Sequence, residues 1–108
     1  MDRERLKGSI EILLLSLLLE QDSYGYDMTK KLRVLSDDSY RMNEETLYPA
    51  LKRLENKECV TSYWSEEKEG QRRKYYSITE HGKKVLNDKL NHWRQINRLI
   101  DKTLGGAT

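Results

Sequence analysis

Apolar and polar positions alternate with a different period in successive stretches of the chain, and each period predicts an element. From Ile10 to Leu19 nearly every position is apolar, broken only by Glu11 and Ser16. The run is far shorter than the ~20 residues a membrane-spanning helix needs. No small-residue cleavage site follows it, so it predicts an internal helix and neither a signal peptide nor an anchor. Apolar on almost every face, it exceeds what the surface of a small domain requires, and it predicts contact with a second subunit. Tyr24, Met28, Leu32 and Leu35 then recur at helical spacing, predicting a second helix capped at Asp22-Ser23 and ending near Ser36.

A third helix starts at Asn43, whose side chain suits an N-cap, with Glu44 and Glu45 placed against the helix dipole. Leu47, Ala50, Leu51 and Leu54 fall on one side, and Glu45, Pro49, Lys52, Arg53 and Asn56 on the other. Pro49 lies beyond the first turn and removes a backbone hydrogen bond, which predicts a kink or a tightened start. After Cys59 the residues turn β-branched and aromatic: Val60, Thr61, Tyr63 and Trp64, then Tyr75, Tyr76, Ile78 and Thr79. They predict a hairpin with Gly70 at its tip, beside the basic run Arg72, Arg73 and Lys74. Tyr63, Trp64, Tyr75 and Tyr76 are expected to serve its packing.

Thr79 caps a last helix, with Glu80 in its first turn. Along it Leu86, Leu90, Trp93, Asn97, Ile100 and Leu104 alternate steps of four and three, the spacing of a coiled-coil seam. Asn97 on such a seam fixes register at some cost in stability. The stripe predicts a homodimer.

Composition narrows the function. A chain of 108 residues, 35% charged, without Phe, holds one small domain with or without a helical arm, and excludes a two-domain enzyme. The expected division is a DNA-binding unit over 1–80, a dimerisation helix over 81–104 and a disordered tail over 105–108. A net charge of +2 leaves nucleic-acid affinity to the placement of charge. A lone Cys59 allows no internal disulfide and points to the cytoplasm. Cys59, His81 and His92 lack the paired spacing of a metal site or a nucleophile and base, so no enzyme, metal or cofactor is expected. His92 is expected to pair with Asp88 one turn away.

Three helices and a hairpin are the order of a winged helix, in which the third helix enters the major groove and the wing touches backbone. The fold class is therefore mainly α with a β-hairpin wing, α+β: a winged helix-turn-helix followed by a C-terminal dimerisation helix. Lys52 and Arg53 suit phosphates or purine edges, Thr46 and Tyr48 can hydrogen-bond to either, and Arg72, Arg73 and Lys74 form a second positive site.

TLYPALKRLE from Thr46, GQRRKYYSITEHG from Gly70 and YGYDM from Tyr24 closely resemble the signatures of the PadR family of bacterial transcriptional regulators, over about residues 8 to 104. The short chain is similar to the family's small second subgroup and to its multidrug-sensing repressor. The resemblance implies a homodimeric repressor of a palindromic double-stranded operator, with the last helix packed against helix 1 of the partner. It places DNA contacts on Thr46, Tyr48 and Pro49, with Leu47 turned to the core, on the wing tip Arg72, Arg73 and Lys74, and near backbone on Tyr24 and Tyr26. It also implies a dimer slot for a planar hydrophobic effector, lined by Trp93, Ile12, Leu15, Ser16, Leu19 and Asn97. Glu45 and Glu58 stand where relatives usually carry small residues or Gly; the first bears on the operator, the second on the local turn. Two alternatives remain open: a winged-helix protein-interaction module, and a regulator of the same fold answering to phenolic acids.

Overall fold

A computed structural model describes residues 9–105. Residues 1–8 of the expected DNA-binding unit and 106–108 of the expected tail lie outside that range. In chain order the elements are α1 (Ile10–Glu20), β1 (Ser23–Tyr24), α2 (Gly25–Leu35), α3 (Glu44–Asn56), β2 (Val60–Lys68), β3 (Gln71–Ile78) and α4 (Glu80–Thr103). The fold class is the expected one, helices plus a small antiparallel sheet in the order β1-β3-β2. Among the described residues no helix is long and apolar enough to cross a membrane.

The near-continuous apolarity of α1 has an internal cause. The helix runs through the centre of the molecule, against α3, β3 and α4, and Leu14, Leu15, Leu17 and Leu18 are all buried there. Only Leu19 remains as a large apolar surface, 52% exposed. Met28 and Leu32 from α2, Leu47, Ala50, Leu51 and Leu54 from α3, Val60 and Tyr76 from the sheet, Leu86 from α4, and Met42 and Cys59 flanking α3 complete the core.

The second helix begins later than its sequence suggests. Ser23, expected in a cap, is buried in a two-residue strand paired with Tyr76, and Tyr24 pairs with Tyr75. Helix α2 starts at Gly25 without a side-chain cap bond; Ser23 Oγ instead donates to Asp27 Oδ2 at 2.7 Å. Leu35, expected on the inner face, is 74% exposed. The caps at Asn43 and Thr79 form as expected, each accepting an amide from the first turn of its helix.

Both α2 and α3 end in a Schellman arrangement built without glycine. At the end of α3 the Cys59 amide donates to the Leu54 carbonyl at 2.8 Å and the Glu58 amide to the Glu55 carbonyl at 2.9 Å. This requires Glu58 at φ 62°, a conformation that disfavours a Cβ. Asp37 plays the same part after α2 at φ 52°. The reversal at Glu58 then delivers two carbonyls to the start of α4. The Glu58 carbonyl accepts from Thr79 Oγ1 at 2.7 Å and the Cys59 carbonyl from the Thr79 amide at 3.0 Å. Gly82 passes directly over this joint: a Cβ there would lie 2.1 Å from the Cys59 carbonyl oxygen and 2.8 Å from Ile78 Cγ1.

A second tie joins the same elements. Glu11 on α1 lies 3.1 Å from Lys57 Nζ at the end of α3 and 3.6 Å from Lys89 Nζ on α4. Burial pushes its carboxyl group up, but the hydrogen bonds and charges of the two ammonium groups, Lys57 foremost, outweigh this and hold it below its ordinary value.

Two outcomes test these ties. Glu58→Gly relieves a left-handed residue that costs about 1–2 kcal/mol and loses about 0.5–1 kcal/mol of that to chain entropy. It should therefore raise stability by up to about 1.5 kcal/mol, whereas Gly82→Ala should lower it by about 1–3 kcal/mol or more. Urea unfolding midpoints that move the same way for both would contradict the geometry. Because the folded-state pKa of Glu11 lies below its ordinary value of 4.5, its contribution is present above that pH and is lost as pH falls through the folded value. Between about pH 5 and about pH 3, Glu11→Gln should lose less stability than the wild type; equal losses would rule the tie out.

Candidate nucleic-acid interface

Helix α3 presents an exposed row of Glu45, Tyr48, Pro49, Lys52, Arg53 and Asn56, with Thr46 half-buried at its edge and Leu47 turned into the core. The polar face is the one its periodicity predicts. The helix runs on through Pro49 without a break, so the missing amide costs a hydrogen bond and not the element.

In the wing the basic run does not form one surface. Trp64 pairs with Lys74, Ser65 with Arg73 and Glu66 with Arg72, and neighbours along a strand face opposite ways. Arg72 and Lys74 therefore share the side of Tyr76 and Trp64, while Arg73 lies with Tyr24, Tyr63 and Tyr75 on the other. Each cation rests on an aromatic ring. The Arg72 guanidinium lies 5.1 Å from the centre of Trp64, that of Arg73 4.5 Å from Tyr24, and Lys74 Nζ 5.7 Å from Tyr76. Arg73 also donates from Nη1 to Tyr24 Oη at 2.6 Å.

Tyr24, Tyr75 and Tyr63 form one rung across three strands. Tyr75 meets Tyr24 edge-on at 5.3 Å and stacks on Tyr63 at 5.7 Å. Two of the hydroxyls are tied to acids: Tyr63 donates to Asp22 Oδ2 at 2.6 Å and Tyr75 to Glu67. These bonds push both phenol pKa values up and keep the hydroxyls protonated.

Between α3, the start of α2 and the wing lies a concavity of about 450 Å³ lined by Tyr24, Gly25, Tyr26, Tyr48, Trp64, Arg73 and Lys74. It brings together Tyr24, Tyr26, Tyr48, Arg73 and Lys74 from the predicted set. Thr46, Pro49, Lys52, Arg53 and Arg72 lie outside its lining. Gly25 and Trp64 join it without having been expected at an interface; the pairing of Trp64 with Lys74 depends on the register shift between Glu66 and Lys68 as well as on the Gly70 turn, and the sequence pattern does not signal that shift.

The residues expected around an effector slot and a dimer seam divide. A groove of about 320 Å³ between α1 and α4 is lined by Ile12, Asp88, Lys89, His92, Trp93 and Ile96, so Ile12 and Trp93 meet. Leu15 does not face it: it is wholly buried among the protomer's own core residues. Ser16 and Leu19 are exposed and Asn97 half-buried, all outside that lining. Asp88 and His92 share the groove but form no ion pair among the described residues. Of the predicted seam, Leu86 is only 3% exposed and Leu90 packs against the core. From Trp93 onward the stripe emerges, with Trp93, Ile100 and Leu104 exposed, joined by Ile96 and Leu99.

Residues 14–88 match the transcriptional regulator PadR-like family. The chain is 34% identical over 101 residues to an uncharacterized protein of Lysinibacillus sphaericus, covering 94% of this chain and 93% of that one. A solved transcriptional regulator from Clostridium thermocellum superimposes with a TM-score of 0.84 at 39% identity, over 92% of this chain and 96% of that one. A PadR family transcription regulator from Clostridium difficile does so with a TM-score of 0.76 at 40% identity, over 89% and 98%. With its winged helix and its match over most of its length, the chain belongs to the PadR-like family and is a transcriptional regulator, not an enzyme.

Proposed function

We propose that the protein is a repressor that binds a palindromic operator as a homodimer, with α3 in the major groove and the wing along the backbone. The observation that carries this reading is the joining of the exposed face of α3 to the wing through a concavity lined by tyrosine hydroxyls and two cations. Lys52 and Arg53 supply phosphate or purine contacts, Thr46 and Tyr48 hydrogen bonds, and Pro49 fits the crowded start of the groove. Tyr24 and Tyr26 approach backbone beside Arg73, and Arg72 and Lys74 reach it from the other side of the wing. Glu45 on the same helix face disfavours phosphate and suits the amino group of a cytosine.

The emergent stripe of α4 supports pairing with a second copy, through Trp93, Asn97, Ile100 and Leu104, with Leu86 and Leu90 anchoring the helix to its own body. The groove at Ile12 and Trp93 supports an effector role for a planar hydrophobic ligand, whose stacking on Trp93 contributes about 0.5–1.5 kcal/mol beyond area burial. Ser16 and Leu19 extend this face of α1 towards the partner. Relief of repression requires that the ligand favour a dimer whose recognition helices depart from the ~34 Å spacing of one DNA turn.

Binding to the DNA upstream of the protein's own gene, followed by mobility shift across a salt series, tests the DNA reading. Affinity should fall linearly on a log–log plot, and Lys52→Ala and Arg72→Ala should each flatten the slope by about two, one for each copy in the dimer. Unchanged slopes and affinities would leave the interaction-module reading in its place. The dimer and the effector are tested together in a Trp64→Phe background, where Trp93 is the sole indole. The protein should sediment as a dimer at micromolar concentration and planar cationic dyes should quench its emission. Ile100→Asp should give monomers that no dye quenches. A monomeric parent, or emission indifferent to every dye, would refute the respective half.

A further inference from the structure

Gly25 opens α2 at the floor of the concavity, and the space its side chain would fill is taken by Tyr48. A Cβ at residue 25 would lie 2.5 Å from Tyr48 Oη, 3.0 Å from its Cζ and 3.2 Å from Leu47 Cδ2. Torsion does not call for glycine here, since among the described glycines only Gly70 and Gly105 have positive φ. The requirement is for room, first for the far end of the Tyr48 side chain and less tightly for a methyl group of the buried Leu47.

That side chain stands between two spaces. Tyr48 lines the 450 Å³ concavity on one side and, on the other, a cavity of about 70 Å³ shared with Gly25, Tyr26, Thr29, Glu44 and Leu47. It is 45% exposed, and its backbone is held rigid inside α3. The ring can yield to a group at residue 25 only by rotating about its own side-chain bonds. Rotation carries the hydroxyl away from α2 and changes the shape of the concavity.

We propose that Gly25 is a positioning residue for DNA recognition: by lacking a side chain it lets the Tyr48 hydroxyl seat against the start of α2, holding the ring where it flanks the concavity without obstructing it. The inference rests on the DNA-binding reading above and adds to it a residue that no contact with DNA would identify. It also separates position from stability. A methyl group at residue 25 meets a movable hydroxyl, whereas one at Gly82 meets a backbone carbonyl, so the first substitution displaces a side chain and the second strains the fold.

The test is a cycle of Gly25→Ala and Tyr48→Phe in the full-length protein, with the DNA upstream of its own gene as probe. Tyr48→Phe removes the atom at 2.5 Å. Gly25→Ala should weaken binding about tenfold with Tyr48 present and by less than about threefold in the Tyr48→Phe background, a coupling of the size seen between contacting residues. In the free protein, Gly25→Ala should shift the Tyr48 ring resonances while leaving the urea midpoint near that of the wild type. Equal losses in both backgrounds, no loss with Tyr48 present, an unmoved ring, or a Gly25→Ala/Tyr48→Phe protein that does not fold would each overturn the inference. If the wild type itself shows no specific shift, the DNA reading fails, and the ring resonances still decide whether Gly25 positions Tyr48.

Discussion

The Cys59 carbonyl sets the geometry of everything that faces outward. It accepts the Thr79 amide and lies under Gly82 at a distance no side chain would tolerate. The strand β2 leaves this point, β3 returns to it and α4 starts from it, while the Schellman turn at Glu58 binds it to the end of α3. These ties are backbone hydrogen bonds and backbone contact, so the angle between the exposed face of α3 and the axis of α4 does not change by side-chain rotation. Glu11 adds a charged tie between the same two helices through α1. It is the weaker of the two, since Lys57 is largely exposed and water screens it.

The wing follows a different logic. Free Lys and Arg side chains carry about 2 kcal/mol of rotamer entropy each, and ordering them at an interface subtracts from affinity. Here the three wing cations already rest on Trp64, Tyr24 and Tyr76, in contacts worth about 0.5–1 kcal/mol at exposed sites. Arg73 is fixed further by Tyr24 Oη, yet that bond uses one of five guanidinium N–H groups and leaves the others for a partner. Charge is thus held in place before any partner arrives. The tyrosine rung behind Arg73 explains why β1, only two residues long, persists: its pairing is supported by ring contacts as well as by ladder hydrogen bonds.

What can be read from the sequence follows from how many residues each signal spans. Helix α3 offers three turns of consistent alternation and a recognisable cap, so its inner and outer faces are legible residue by residue. Gly70 marks the hairpin tip because a positive φ there needs glycine. Strand β1 has no period to detect, and Asp22-Ser23 imitates a helix cap, so the pattern predicts too early a start for α2. The division of Arg72, Arg73 and Lys74 between two faces follows from the alternation of side chains along a strand, which the basic composition of the run conceals. Leu15 belongs to a helix apolar on almost every side, and no periodicity distinguishes its buried faces from its exposed one.

The stripe on α4 is legible as a period but not as two environments. Leu86 and Trp93 lie two turns apart on the same face, yet the first is in the core and the second is 54% exposed. The difference arises because a helix of 24 residues is about 36 Å long and leaves the core beyond Leu90. Trp93 and Ile96 still border α1 across the groove at Ile12, and the remainder extends past the body, along the 59 Å length of the molecule against widths of 31 and 21 Å. The protruding half carries Trp93, Ile96, Leu99, Ile100 and Leu104, more apolar surface than scattered single residues would leave. The anchored half begins at the Gly82 contact, so one unbroken helix joins the protruding half to the Cys59 joint.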